Sequence, residues 1–121
     1  MARFLAVFRP REPLGPGQLI EGLEPLMEQL EAAIDHRTPA HLSAMLRSGD
    51  TPDLQLFADE QARADGRVLE VVLISGESMG RGAPQTRGCF ENLLHRSAAT
   101  LPSLELVFRS DRDGPIPTGR G

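Results

Sequence analysis

With 121 residues the chain has the size of one domain, long enough to build a core without disulfides or a structural metal. Its 13 basic and 17 acidic residues give a net charge of −4. That balance offers none of the basic stripe a nucleic-acid binder presents, so no nucleic-acid partner is expected. Five Phe, no Trp and no Tyr leave an aliphatic core and few stacking platforms for bases or sugars. No apolar run approaches the ~20 residues of a membrane-spanning helix, and Phe4 to Phe8 is too short for a signal peptide. The single cysteine, Cys89, excludes an internal disulfide and fits a reducing compartment, so a cytoplasmic location is expected.

Taken in order, Ala2 to Phe8 (ARFLAVF) reads as a first strand, and Arg9 to Gly17 as a proline- and glycine-rich connection. A long helix is expected from about Gln18 to Asp35. Leu19, Ile20, Leu23, Leu26, Met27, Leu30, Ala33 and Ile34 form its apolar stripe, and Glu21, Glu24, Glu28, Glu31 and Asp35 fall outside it. Pro25 either kinks this helix or restarts it from a first turn of its own. Thr38 and Pro39 read as the cap and first residue of a short helix to Arg47, with Leu42, Met45 and Leu46 as its apolar face.

Ser48 to Pro52 reads as a turn, and Asp53 to Asp59 alternates as a half-buried strand does. Asp65-Gly66 marks a hairpin turn into Val68 to Ile74, a β-branched run broken only by Glu70. Ser75 to Arg87 carries Gly76, Gly80, Gly82 and Pro84 and continues neither strand nor helix. Phe90, Leu93, Leu94, Ser97 and Ala98 then mark one face of a helix that Thr86 caps and that starts near Arg87. Leu104 to Phe108 is the last strand.

This succession predicts an α+β fold of ferredoxin-like, split βαβ topology, β-α-(α)-β-β-α-β. It has a four-stranded antiparallel sheet with its helices on one face. Residues 1–109 form the single domain and 110–121 an extended or disordered tail. Strand period places Phe4, Ala6, Phe8, Leu54, Leu56, Leu69, Val71, Leu73, Leu104, Leu106 and Phe108 under the helices. Leu5, Val7, Phe57, Val68, Val72, Ile74 and Val107 then lie on the open face. So many apolar side chains left wet point to an interface with a second copy or a protein partner, the alternative being that the short helix Pro39 to Arg47 or the C-terminal tail folds over them.

Gly76-Glu77-Ser78-Met79-Gly80 follows a strand and matches G-x-S-x-G. It resembles the nucleophile elbow of the α/β-hydrolase family, a resemblance that would make Ser78 a nucleophile. It covers five residues and the preceding strand. An elbow needs a helix at once, which Gly80, Gly82 and Pro84 forbid. The family's order also places the acid before the histidine, whereas here His95 precedes Asp111 and Asp113. The same loop also suits an anion: glycines let N–H groups converge, and a helix N-terminus follows. Ser75, Gly76, Ser78, Gly80, Arg81, Gly82, Thr86 and Arg87 are its candidate residues.

No metal site and no cofactor are expected. His36 and His41 are five apart across a helix break, and Cys89 and His95 six apart, neither the i, i+4 spacing of a helical site. The chain reads as a small binding module, leaning away from enzymatic activity, that associates through its open sheet face and the 75–87 loop. The alternatives are a dimeric α+β barrel that binds or transforms a small molecule, and a serine hydrolase built on Ser78.

Overall fold

The computed structural model describes residues 1–15, 17–46 and 54–113. Their elements run β1 (Ala2–Pro10), α1 (Gln18–Glu21), α2 (Glu24–Gln29), β2 (Ala33–Thr38), β3 (His41–Leu46), β4 (Leu54–Arg63), β5 (Gly66–Ser75), α3 (Pro84–Thr100) and β6 (Leu104–Arg109). The strands make one sheet of order β2-β3-β4-β5-β1-β6, and every neighbouring pair is antiparallel. The four-stranded ferredoxin-like expectation is therefore corrected to a six-stranded antiparallel sheet. The four expected strands are β1, β4, β5 and β6; what the expectation missed is a hairpin, β2–β3, added beside β4.

The correction begins where the first long helix stops. At Pro25 the chain restarts, with Pro25 in the first turn of α2. The helix is over at Gln29, two residues after Met27. Glu31 takes a left-handed φ of 53°. The N–H groups of Ala32 and Glu31 bond back to the carbonyls of Met27 (2.9 Å) and Glu28 (3.1 Å). Those two bonds make a Schellman stop, a position that glycine usually fills. Ala33, Ile34 and Asp35, expected at the end of a helix, instead open β2.

In place of the helix expected from Pro39 to Arg47, His41–Leu46 is a strand, and Arg47 lies outside the described residues. Thr38 pairs with His41 across a tight turn made by Pro39 and Ala40, and the Ala40 N–H donates to Thr38 Oγ1 at 3.3 Å. Proline pre-sets φ for the second residue of such a turn as readily as for the first residue of a helix. Leu42, Ala44 and Leu46 then face the core at 0, 1 and 8 % exposure. The expected turn at Ser48 to Pro52, and the tail from Gly114 on, lie outside the described residues.

One apolar core holds the sheet to its helices. Phe4, Ala6 and Phe8, Leu54 and Leu56, and Leu69, Val71 and Leu73 all pack there, as strand period predicted. Leu19, Ile20, Leu23, Leu26 and Met27 from α1 and α2 meet them, with Phe90, Leu93 and Leu94 from α3. Phe90 is fully buried and stacks on Phe4 at 5.1 Å between ring centroids. The hairpin at Asp65-Gly66 forms as expected: Arg63 pairs with Gly66, whose φ of 131° suits glycine.

Phe108 departs from the expected facing. The β1–β6 ladder shifts register between Val7 and Phe8, pairing Val7 with Phe108 but Phe8 with Leu106. Val107 is the extra residue of this bulge, and beyond it the alternation is reversed. Phe108 accordingly packs with Leu5, Val7 and Val68 on the bare face. Arg109 turns to the helix side, its guanidinium 5.8 Å from the Phe90 ring centroid. Past β6, Ser110 still bonds to Leu5 in both directions, N–H to carbonyl at 2.9 Å and hydroxyl from amide at 2.9 Å.

Candidate functional site

Two places gather the residues singled out above: the loop after β5, and the sheet face opposite the helices.

The loop is organised by Glu77. Its Oε1 accepts from the Thr86 N–H and the Thr86 hydroxyl, both at 2.7 Å, and Oε2 accepts from the Gln85 N–H at 3.1 Å. Ser75 Oγ lies 2.6 Å from Thr86 Oγ1 and accepts from the Glu77 N–H at 3.1 Å. Helix α3 starts at Pro84, three residues before the expected point. Thr86 is thus inside the helix, and the cap function falls to a carboxylate reaching in from the loop. The Thr86 hydroxyl, followed by the two backbone amides, holds the Glu77 carboxyl below the usual carboxylate range against its partial desolvation. An external anion at this terminus would have to displace Glu77.

Of the other loop residues, Gly76, Ser78, Gly80, Arg81, Gly82 and Arg87 are exposed. Ser78 caps a single 3-10 turn, Met79–Arg81, by accepting from the Gly80 N–H at 3.2 Å. Among the described residues no histidine or carboxylate hydrogen-bonds to Ser78, so nothing there draws off its proton. Arg87 stands 3.7 Å from Glu91 and 3.9 Å from Asp111.

The sheet face opposite the helices is laid out by register. One row across it runs Thr38, His41, Asp59, Glu70, Val7, Phe108. The next runs His36, Ser43, Phe57, Val72, Leu5. The face therefore has two halves. On β5, β1 and β6 it is mainly aliphatic, apart from Glu70 and the β1 arginines Arg3 and Arg9, with Phe108 at the rim. On β2, β3 and β4 it carries imidazoles and carboxylates, with Phe57 at the boundary.

Of the seven residues expected to lie wet on this face, Leu5, Val7 and Val68 are 4, 3 and 1 % exposed. Their neighbours on the same face already cover them, which corrects the expectation for these three. Phe57, Val72 and Ile74 are half-buried, and Val107, at the bulge, is 41 % exposed. No helical residue joins the small cluster of Leu5, Val7, Val68, Val72 and Phe108.

The polar half was not anticipated. His41 Nδ1–H donates to Asp59 Oδ1 at 2.7 Å. The His36 and His41 ring centroids are 5.8 Å apart, and His41 and Phe57 are 6.3 Å apart. The Ser43 hydroxyl donates to the Asp35 carboxylate. Beside them Glu70 is bound by Arg63 at 2.9 Å. The β2–β3 turn is what brings the two histidines together. The signal that could have found them is the alternation of His41-Leu42-Ser43-Ala44-Met45-Leu46 directly after a Thr-Pro-Ala turn. Among the described residues no three His, Cys, Asp or Glu side chains converge into a metal-binding group, and no helix is long and apolar enough to cross a membrane. Cys89 is a free thiol, half-buried on α3.

No protein-family model matches the chain, and no curated protein does either.

Proposed function

We propose that this chain is a binding module that works by association, packing the apolar half of its bare sheet face against a second copy. The observation that supports this reading is that α1, α2 and α3 all pack on one side of the sheet. Phe57, Val72, Ile74 and Phe108 are left half-buried on the other, with Val107 exposed beside them. A six-stranded sheet with one uncovered apolar side gains by removing that side from water, at roughly 25 cal/mol per Å². Stable pairs of this kind bury on the order of 1,000 Å² or more in total. The exposed tip of the loop that follows β5, where Met79 is 46 % exposed, belongs to the same surface in this reading.

Light scattering on the purified chain at micromolar concentration tests it. A mass of two chains is expected, falling to one chain in Val72→Asp and Ile74→Asp variants whose far-UV circular dichroism is unchanged. A wild-type mass of one chain would refute self-association.

The His41–Asp59 pair on the same face favours a second reading, a dimeric α+β barrel enclosing a small molecule. Coordinates of the dimer separate the two: a dry, packed junction supports the module, and a cavity lined by His41 supports the barrel.

A further inference from the structure

We propose that His36 and His41 together ligate one borderline divalent transition-metal cation, with zinc as the reference ion, on the polar half of the bare sheet face. The geometry brings the two rings close together on one face. The two histidines are diagonal neighbours across the β2–β3 hairpin, His41 opposite Thr38 and His36 opposite Ser43, so both project from the same side of the sheet. Two imidazoles bound to one tetrahedral zinc through nitrogens at ~2.0–2.1 Å place their ring centroids roughly 5 Å apart. The observed 5.8 Å is slightly wider, a gap that a rotation of the exposed His36 side chain closes.

The surroundings supply what a ligating histidine needs. Asp59 takes the Nδ1–H of His41 at 2.7 Å. That bond fixes the tautomer, leaves Nε2 with its lone pair free, and makes the ring a stronger ligand. His36 is exposed, and among the described residues no hydrogen bond ties its ring to another position, so it can turn to share the ion. Asp35 is engaged by Ser43 and is not needed as a ligand. Asp35, Asp59 and Glu70 outnumber Arg63 around the pair, which favours a cation. Two nitrogen ligands with the remaining positions left to water select zinc, nickel or copper, and reject magnesium and calcium, which require oxygen. The proposal does not depend on self-association, since both ligands belong to one hairpin of one chain.

The test is calorimetric titration of the tag-free chain with Zn²⁺, and separately with Mg²⁺, in a non-chelating buffer. One Zn²⁺ per chain is expected, and no Mg²⁺. His36→Ala and His41→Ala should each abolish the Zn²⁺ heat. Asp59→Asn should weaken it about 10- to 100-fold, the usual cost of losing such a carboxylate. His95→Ala, on α3, should leave it unchanged. The imidazole NMR signals of the wild-type chain give a second reading that needs no variant: those of His36 and His41 should shift on adding Zn²⁺, and that of His95 should not. Absence of Zn²⁺ binding by the wild-type chain, or binding that survives His36→Ala in a folded variant, would overturn the proposal.

Discussion

Glu60 is the sharpest place to ask whether a charge inside this protein helps or hurts. It sits on the helix side of β4 with its side chain 5 % exposed, and Arg67 Nη1 stands 3.3 Å from its Oε1. The pair is poorly finished. Among the described residues, Oε1 makes no hydrogen bond of good geometry, and Oε2 accepts only a long one, 3.4 Å, from the Gly17 N–H. At that separation the attraction is about 5 kcal/mol with an effective dielectric of about 20. Burying the carboxylate costs several kcal/mol in the other direction, so the two nearly cancel. The consequence is an asymmetry between the partners. Removing Arg67 leaves the burial cost unopposed. Arg67 is 38 % exposed, so water follows it in and limits the loss; Arg67→Ala should cost about 2 kcal/mol. Removing the carboxylate with Glu60→Met, which fills the same space, should change stability by less than about 1 kcal/mol in either direction. The double variant should behave as Glu60→Met does. With neither Trp nor Tyr in the chain, urea unfolding followed by far-UV circular dichroism at fixed protein concentration is the assay. The first variant should also melt about 8 °C lower, at roughly 4 °C per kcal/mol for this size. Equal losses from Arg67→Ala and Glu60→Met would show that the ion pair is net stabilising and that the cancellation is wrong.

Glu31→Gly should stabilise by about 0.5 kcal/mol, because the Schellman stop after α2 holds a non-glycine residue at φ 53°; a loss in urea midpoint would contradict that account. Gly66→Ala should cost about 1 kcal/mol through backbone strain alone, since an added Cβ at φ 131° meets nothing within 4 Å. Phe90→Leu should cost about 2 kcal/mol, as it forfeits the Phe4 stacking and the Arg109 guanidinium contact while keeping aliphatic bulk in the core. The carboxyl of Glu77, hydrogen-bonded by Thr86, and that of Asp111, paired with Arg109 at 2.7 Å, are both held below their ordinary values. Each therefore adds stability that is complete above the usual carboxylate range and is lost as pH falls through the lowered folded-state value. Glu77→Gln should flatten that acid-side loss in a pH series of urea midpoints, and an unchanged pH profile would remove Glu77 from the account.

What could be read from the sequence follows what is buried. Phe4, Ala6 and Phe8, Leu69, Val71 and Leu73, and the Phe90–Leu93–Leu94 face all lie against cover, and burial imposes a period on them. β2 has no such imprint. Ala33 to Arg37 are exposed on an outer strand, so nothing forces apolar and polar residues to alternate there. The helical stripe of Leu26, Met27 and Leu30 could then be continued through Ala33 and Ile34 without conflict, and no glycine marked the stop at Glu31. β3 failed for a different reason. Leu42, Met45 and Leu46 satisfy a helix, Leu42, Ala44 and Leu46 satisfy a strand, and six residues are too few to decide between them. The Val107 bulge leaves no mark in composition, and it alone reverses Phe108 and Arg109.

The polar half of the bare face was hidden for the same reason that it is chemically available. Side chains that need not pack are free to be His36, Ser43, His41 and Asp59, and on the exposed β2 no apolar pattern reveals the strand that carries His36. In the linear sequence His36 and His41 are five apart, a spacing that means little on a helix. Across a hairpin turned at Pro39 and Ala40, the same spacing sets them on one side of the sheet, 5.8 Å apart. Asp59 arrives from β4, eighteen residues beyond His41, and only the β3–β4 register brings it opposite. The hairpin that the sequence reading missed is therefore also what assembles the imidazole pair. The two errors share one cause, and restoring the strand period at Ala33 to Leu46 removes both.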